Sequence, residues 1–132
     1  MTDNAAVDLH ALRAALEASW DVRTAHLGAT AAGNPALGQC YPTARVVQHF
    51  LPACEIVDGE VWTGERIEHH FWNVIEVDGV LEHIDFTWQQ FPPGASVRRF
   101  TVRNRHTLGD PQPTLDRIEL LRQRVEALLT QR

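Results

Sequence analysis

The sequence predicts an α+β domain in which helices pack on a small antiparallel sheet. Apolar residues recur at helical spacing over residues 6–20, 40–50 and 114–130. Two strand-like runs flank Asp78-Gly79, a strong two-residue turn signature. With 132 residues, of which 44% are hydrophobic, the chain can bury a core without a disulfide or a metal. We therefore expect residues 1–132 to form a single domain.

Each predicted helix has its own signals. The first carries an apolar stripe that consists of Val7, Leu9, Leu12, Leu16 and Trp20. The second must begin at about Cys40, because Pro42 is tolerated only in a first turn, and Pro52 ends it. The last has a stripe that consists of Leu115, Ile118, Leu121, Val125 and Leu128.

The segments between the helices give weaker signals. Residues 26–38 are typical of a loop because they contain several glycines and a proline. Residues 54–57 predict a short strand that ends in a turn at Asp58-Gly59, and residues 97–102 predict another strand. Residues 61–66 show no regular pattern.

The turn at Asp78-Gly79 sets the register of a predicted hairpin with strands over residues 70–77 and 80–87. In that register Val77 pairs with Val80, and alternate side chains share a face of the hairpin.

One face of this hairpin brings chemically active side chains together. Its members are His70, Trp72, Val74, His83, Asp85 and Thr87. His70 and Asp85 are diagonal neighbours on this face, about 7–8 Å apart, which a hydrogen bond between their side chains can close. Asn73 lies on the opposite face and is expected to point away from the site.

Cys40 is the candidate nucleophile. At a helix start, the unpaired N–H groups and the positive end of the helix dipole stabilise a thiolate. The same N–H groups can bind the oxyanion that forms when a carbonyl is attacked. Cys54 opens a predicted strand and has no activating neighbours, so we interpret it as a buried structural thiol.

A base and an orienting carboxylate follow later in the chain. His70 is the predicted base because it, unlike His69, shares a face with Asp85; His83 also lies on this face and is the alternative base. An aspartate in an apolar strand is costly unless it is paired, so Asp85 is expected to orient His70. Gln39 can donate an amide N–H to the oxyanion, or can simply be a polar residue at a helix start.

Cysteine, histidine and aspartate in this order indicate a cysteine-dependent acyl-transfer enzyme. An amide or isopeptide hydrolase, a deamidase and a transamidase share these groups, so we expect a peptide or other acyl substrate, no cofactor and no metal. One alternative is a catalytically inactive binding module that keeps the cleft. Another is a metal site made of Cys40, His70, His83 and Asp85, although the sequence has no close Cys/His pair at zinc-finger spacing.

Composition argues against nucleic-acid and membrane partners. The net charge is −5, whereas a phosphate-binding groove needs a basic face. The short basic cluster, Arg98, Arg99, Arg103 and Arg105, is expected at a solvated strand or loop edge. Residues 24–44, the least charged stretch, contain polar residues and prolines and cannot span a membrane. Residues 1–4 lack the basic start of a signal peptide, so the expected location is the cytoplasm.

Four groups of residues form a recognisable combination. They are Gly38-Gln39-Cys40 with Thr43 and Ala44, His70-Phe71-Trp72-Asn73, Asp85-Phe86-Thr87 with Gln90-Phe91, and residues 114–121. Together they resemble the YunG family of small bacterial proteins. The resemblance implies a papain-like or transglutaminase-like fold and a thiol hydrolase or transferase that uses Cys40, His70 and Asp85. It implies no particular substrate.

Overall fold

The computed structural model describes residues 8–29 and 31–131, which form an α+β fold. The helices are α1 (Leu9–Ser19), α2 (Cys40–Phe50) and α3 (Gln112–Leu129). The strands are β1 (Glu55–Trp62), β2 (Ile67–Val77), β3 (Val80–Ile84) and β4 (Ser96–Arg103). The predicted α+β class and the three predicted helices are confirmed. The predicted start of the first helix, at residues 6 and 7, lies outside the described residues.

The sheet is antiparallel and has the strand order β3-β2-β1-β4. Strands β1, β2 and β3 form consecutive hairpins, whereas β4 lies on the free side of β1. Helix α2 packs on β2 and α3, and α1 packs on α3. The main core consists of Leu12, Ala15, Leu16, Val46, Val47, Cys54, Leu121 and Val125. Full burial of a large aliphatic side chain contributes about 1.5–3 kcal/mol, so this core holds the three helices together.

The predicted turn at Asp58-Gly59 is wrong, because both residues lie inside β1. Gly59 is needed in the strand because the indole of Trp72 lies against it: a Cβ atom there would be 2.7 Å from Trp72 Cζ3. The chain turns later, where the N–H of Thr63 donates to the carbonyl of Arg66 at 3.0 Å. A glycine next to an aspartate therefore marked a close packing contact and not a turn.

The predicted hairpin register is confirmed, because Val77 pairs with Val80 across the turn at Asp78-Gly79. The second strand is shorter than predicted and ends at Ile84. It ends there because Asp85 Oδ1 accepts the backbone N–H of Thr87 at 3.2 Å, a local bond that turns the chain out of the sheet.

Asn73 joins the sheet to the helix that carries Cys40. Its Nδ2 donates to the carbonyl of Ala44 at 2.9 Å, and its side chain is buried. Because side chains alternate along a strand, Asn73 points to the face of β2 opposite to that of His70 and Trp72. This bond fixes the position of α2 relative to β2.

The predicted strand over residues 97–102 corresponds to β4, which is an edge strand. Arginines in and after it pair with carboxylates of β1: Arg99 with Glu60, Arg103 with Asp58 and Arg105 with Glu55. The basic cluster therefore lies at a strand edge, where acidic neighbours neutralise much of its charge. Within the described part of the chain, no helix has the length and apolarity needed to cross a membrane.

Candidate active site

Cys40 is the first residue of α2, and its side chain is half-buried. The backbone N–H of Gln39 donates to the carbonyl of Ala36, and that of Thr43 donates to the carbonyl of Gln39. Pro42 has no backbone N–H group. The N–H groups of Cys40 and of the residue after it have no backbone acceptor among the described residues. The sulfur is therefore attached where donors are free to bind an anion.

His70 and Asp85 form a direct side-chain hydrogen bond. The distance from His70 Nε2 to Asp85 Oδ2 is 2.7 Å. The other carboxylate oxygen of Asp85 accepts from the backbone and the hydroxyl of Thr87. Asp85 is thus held from both sides, and it fixes the orientation of the imidazole.

Aromatic side chains enclose the His70 ring, which has no solvent exposure. Trp72 stacks on it with ring centroids 5.4 Å apart, and Phe91 contacts it edge-on at 4.8 Å. Trp88, in the short helical turn after Asp85, is a third neighbour at 6.1 Å. Water is therefore excluded from the His70 side of its bond to Asp85.

The second ring nitrogen of His70, Nδ1, is buried and has no well-aligned hydrogen-bond partner among the described residues. Cys40 is its neighbour. Burial lowers the pKa of His70, but the hydrogen bond to Asp85, the contact with Cys40 and the charges of both groups raise the pKa to about 9 from 6.5. The raised pKa favours the protonated form of the ring at neutral pH, with Nδ1 on the side of Cys40.

The other two candidate histidines take different partners. His69 pairs with Asp58 on the opposite side of β2. His83 is exposed and accepts a hydrogen bond from Trp72 Nε1 at 2.9 Å. The structure therefore brings His70, and neither of the other two, between Asp85 and Cys40.

Gln39 is buried, and both ends of its amide already have partners. Its Nε2 donates to the carbonyl of Asp21 at 3.0 Å, and its Oε1 accepts from the hydroxyl of Thr24 at 2.8 Å. These bonds hold the chain before α2 in place. One amide hydrogen remains for another acceptor, so its role as an oxyanion donor stays a prediction.

A cleft of about 580 Å³ gives access to Cys40. Much of its wall is apolar and comes from Tyr41, Pro42, Phe71, Leu108 and Pro111. Its volume is in the range of small-molecule binding sites. The cleft can therefore hold a substrate next to the sulfur.

A second charged group supports the cleft and was not predicted from the sequence. The hydroxyl of Tyr41 donates to Asp110, and Arg45 Nε donates to the other oxygen of Asp110 at 3.0 Å. This group ties the first two turns of α2 to the segment before α3. Asp110 lies more than sixty positions from Tyr41 and from Arg45, so the sequence pattern held no signal for this group.

The thiol of Cys54 is a poor candidate for chemistry. It is fully buried in the main core, and burial is the main reason that its pKa is raised. The structure gives no support to the metal alternative: across residues 8–29 and 31–131, no three His, Cys, Asp or Glu side chains are grouped so as to hold a metal ion.

Comparison with known proteins gives one family match. Neither the curated proteins nor the solved structures contain a match to this chain. The family model described as YunG protein matches residues 8–130, which include Cys40, His70 and Asp85. Because the match covers almost the whole sequence, the chain belongs to the YunG family.

Proposed function

We propose that this protein is a cysteine-dependent acyl-transfer enzyme in which Cys40 is the nucleophile, His70 the base and Asp85 the group that orients His70. The observation that carries the proposal is the position of His70. It is buried, bonded to Asp85 at 2.7 Å, and has its second ring nitrogen next to the cysteine at the start of a helix. Covalent catalysis requires a nucleophile, a base and an orienting group that contact one another.

In the first half of the proposed reaction, the Cys40 thiolate attacks the carbonyl carbon of an amide. A carbon–sulfur bond forms while the carbonyl electrons move to oxygen, and the free N–H groups at the start of α2 stabilise that oxyanion. The carbon–nitrogen bond then breaks, and the proton on His70 Nδ1 passes to the departing amine. The product is a thioester with Cys40 and a free amine.

In the second half, neutral His70 removes a proton from an incoming water or amine, which attacks the thioester. The carbon–sulfur bond breaks, the electrons return to sulfur, and His70 is again protonated. Water yields hydrolysis and an amine yields transamidation, so the same residues serve a hydrolase, a deamidase or a transamidase. Asp85 keeps its charge throughout and stabilises the imidazolium.

The order of the elements supports a papain-like arrangement as part of the same proposal. The cysteine starts a helix, the histidine follows on a strand of an antiparallel sheet, and the carboxylate lies just after the next strand. Helix α2 packs directly on β2, which brings the first two groups together.

Electrophilic substrate analogues test this proposal. A peptide aldehyde or a peptide vinyl sulfone should form an adduct with the wild-type protein, and peptide mapping should locate it on Cys40. The Cys40→Ser protein is the matched control because it keeps the size of the side chain and should form no adduct with the vinyl sulfone. A folded wild-type protein that reacts with neither reagent would contradict the proposal and favour an inactive binding module.

A further inference from the structure

Arg117 is a charged residue of the cleft that has no carboxylate partner within the described part of the chain. It lies in the second turn of α3 and lines the same cleft as Cys40. Its Nη2 donates to the hydroxyl of Thr114 at 3.1 Å and approaches His26 Nδ1 at 3.5 Å. Its Nε is buried without an acceptor, and no salt bridge within residues 8–29 and 31–131 includes Arg117.

Apart from His26, which lies beside Arg117, the other charged side chains that line the cleft are paired. Arg103 donates to Asp58 at 3.0 Å, and His69 contacts the same carboxylate. Asp110 accepts from Arg45 and from a tyrosine hydroxyl. Arg117 therefore leaves the cleft with a positive charge that the described residues do not neutralise.

A half-buried guanidinium without an acidic partner suits a ligand carboxylate. Arginine presents several N–H donors in a planar fork, so it can bind both oxygens of a carboxylate. The interaction is stronger where water is partly excluded, as it is between the apolar walls of this cleft. The whole chain has a net charge of −5, so its overall charge does not attract anions.

We propose that Arg117 binds a carboxylate of the substrate whose carbonyl Cys40 attacks. This inference rests on the proposed function and narrows its substrate class to acyl compounds that carry a free carboxylate. The carboxylate occupies the Arg117 end of the cleft, and the apolar walls hold the part of the substrate that joins it to the reacting carbonyl.

Matched pairs of alkylating reagents test the inference. Iodoacetyl amino acids with spacers of increasing length are compared with their primary amides, which differ only in charge. For at least one spacer length, the acid should alkylate Cys40 about fivefold faster than the amide, because a charge-assisted hydrogen bond from Arg117 holds only the acid in the cleft. The Arg117→Gln protein should lose this preference and keep its rate with the amides. Arg103→Gln, which removes a paired arginine of the same cleft, should keep the preference.

A binding measurement that needs no reactive thiol completes the test. The N–H signal of the Arg117 guanidinium, followed by NMR in the Cys40→Ser protein, should shift with N-acetyl amino acids and not with their amides. Equal alkylation rates for acids and amides at every spacer length would overturn the inference. An Arg117 N–H signal that does not shift when the acids are added would overturn it too. Failure of acids and amides alike to alkylate Cys40 would contradict the proposed function, and the NMR result would still decide the role of Arg117.

Discussion

The indole of Trp72 lies directly against the backbone of Gly59, so that a Cβ atom on Gly59 would be 2.7 Å from Cζ3 and 3.0 Å from the carbonyl oxygen of Arg99. The same indole stacks on His70 and donates to His83. Gly59 thus allows Trp72 to lie flat on the sheet, and Trp72 closes one side of the His70 ring. The absence of a side chain at Gly59 on β1 therefore helps to position His70, the proposed base, on β2.

Gly59→Ala should destabilise the protein by about 1–3 kcal/mol, because the added methyl group overpacks the sheet surface under Trp72. Urea unfolding of the wild type and the variant measures this change. In a Trp72→Leu background the same substitution should cost much less, because the smaller side chain leaves room. Equal costs in both backgrounds would show that the contact with Trp72 is not the cause.

Asp85→Asn should lower the pKa of His70 from about 9 toward its ordinary value of 6.5, because the hydrogen bond to the carboxylate is the largest influence that raises it and the charge of the carboxylate adds to it. An NMR titration of the His70 ring measures this pKa. Alkylation of Cys40 should slow by about tenfold or more, because each unit by which the pKa of His70 falls weakens the thiolate–imidazolium pair tenfold. A His70 that titrates unchanged in the variant would mean that Asp85 has only a structural role.

The raised pKa of His70 also predicts a pH dependence of stability. The folded protein binds a proton on His70 that the unfolded protein releases, because the folded pKa of about 9 lies above the unfolded value of about 6.5. The stabilisation is therefore fully present below about pH 6.5 and is lost as the pH rises through about 9. The difference in unfolding free energy between wild type and Asp85→Asn should shrink over this interval. A constant difference would contradict the linkage.

Tyr41 is the only tyrosine in the sequence, so the near-ultraviolet absorbance of tyrosinate reports on its hydroxyl alone. Burial and the hydrogen bond to Asp110 raise its pKa above the ordinary value of 10, and the charge of Asp110 adds to this effect. The hydroxyl should therefore ionise at higher pH than free tyrosine, and Asp110→Asn should bring its pKa back down. Arg45→Gln should move the pKa in the opposite direction, because Arg45 lowers it. The same Tyr41 pKa in the wild type and in Asp110→Asn would show that burial alone raises it.

The sequence predicted those parts of the site that depend on local rules. A proline confined to the first turn placed Cys40 at the start of α2, and the Asp78-Gly79 turn gave the register that puts His70 and Asp85 on one face. Both rules act over a few residues, so one sequence was enough to apply them.

Features that depend on packing between distant segments were not predicted. The role of Gly59 follows from a tryptophan on the neighbouring strand, and a glycine after an aspartate has the same local pattern as a turn. The pairing of Tyr41 with Asp110 and the position of Arg117 in the cleft depend on how α3 packs against α2. Such contacts are set by tertiary structure and leave no periodic signal.

The central claim, that Cys40 is an activated nucleophile, is tested most directly by limited alkylation with iodoacetamide at about pH 6.5, where an ordinary thiol with a pKa of about 8.5 is almost fully protonated. Peptide mapping then compares Cys40 with Cys54, a fully buried thiol whose pKa is raised. We predict that Cys40 is labelled well before Cys54 in the folded protein, and that the two cysteines are labelled at similar rates in urea. Equal labelling of the two cysteines in the folded protein, or labelling of Cys54 alone, would contradict the claim.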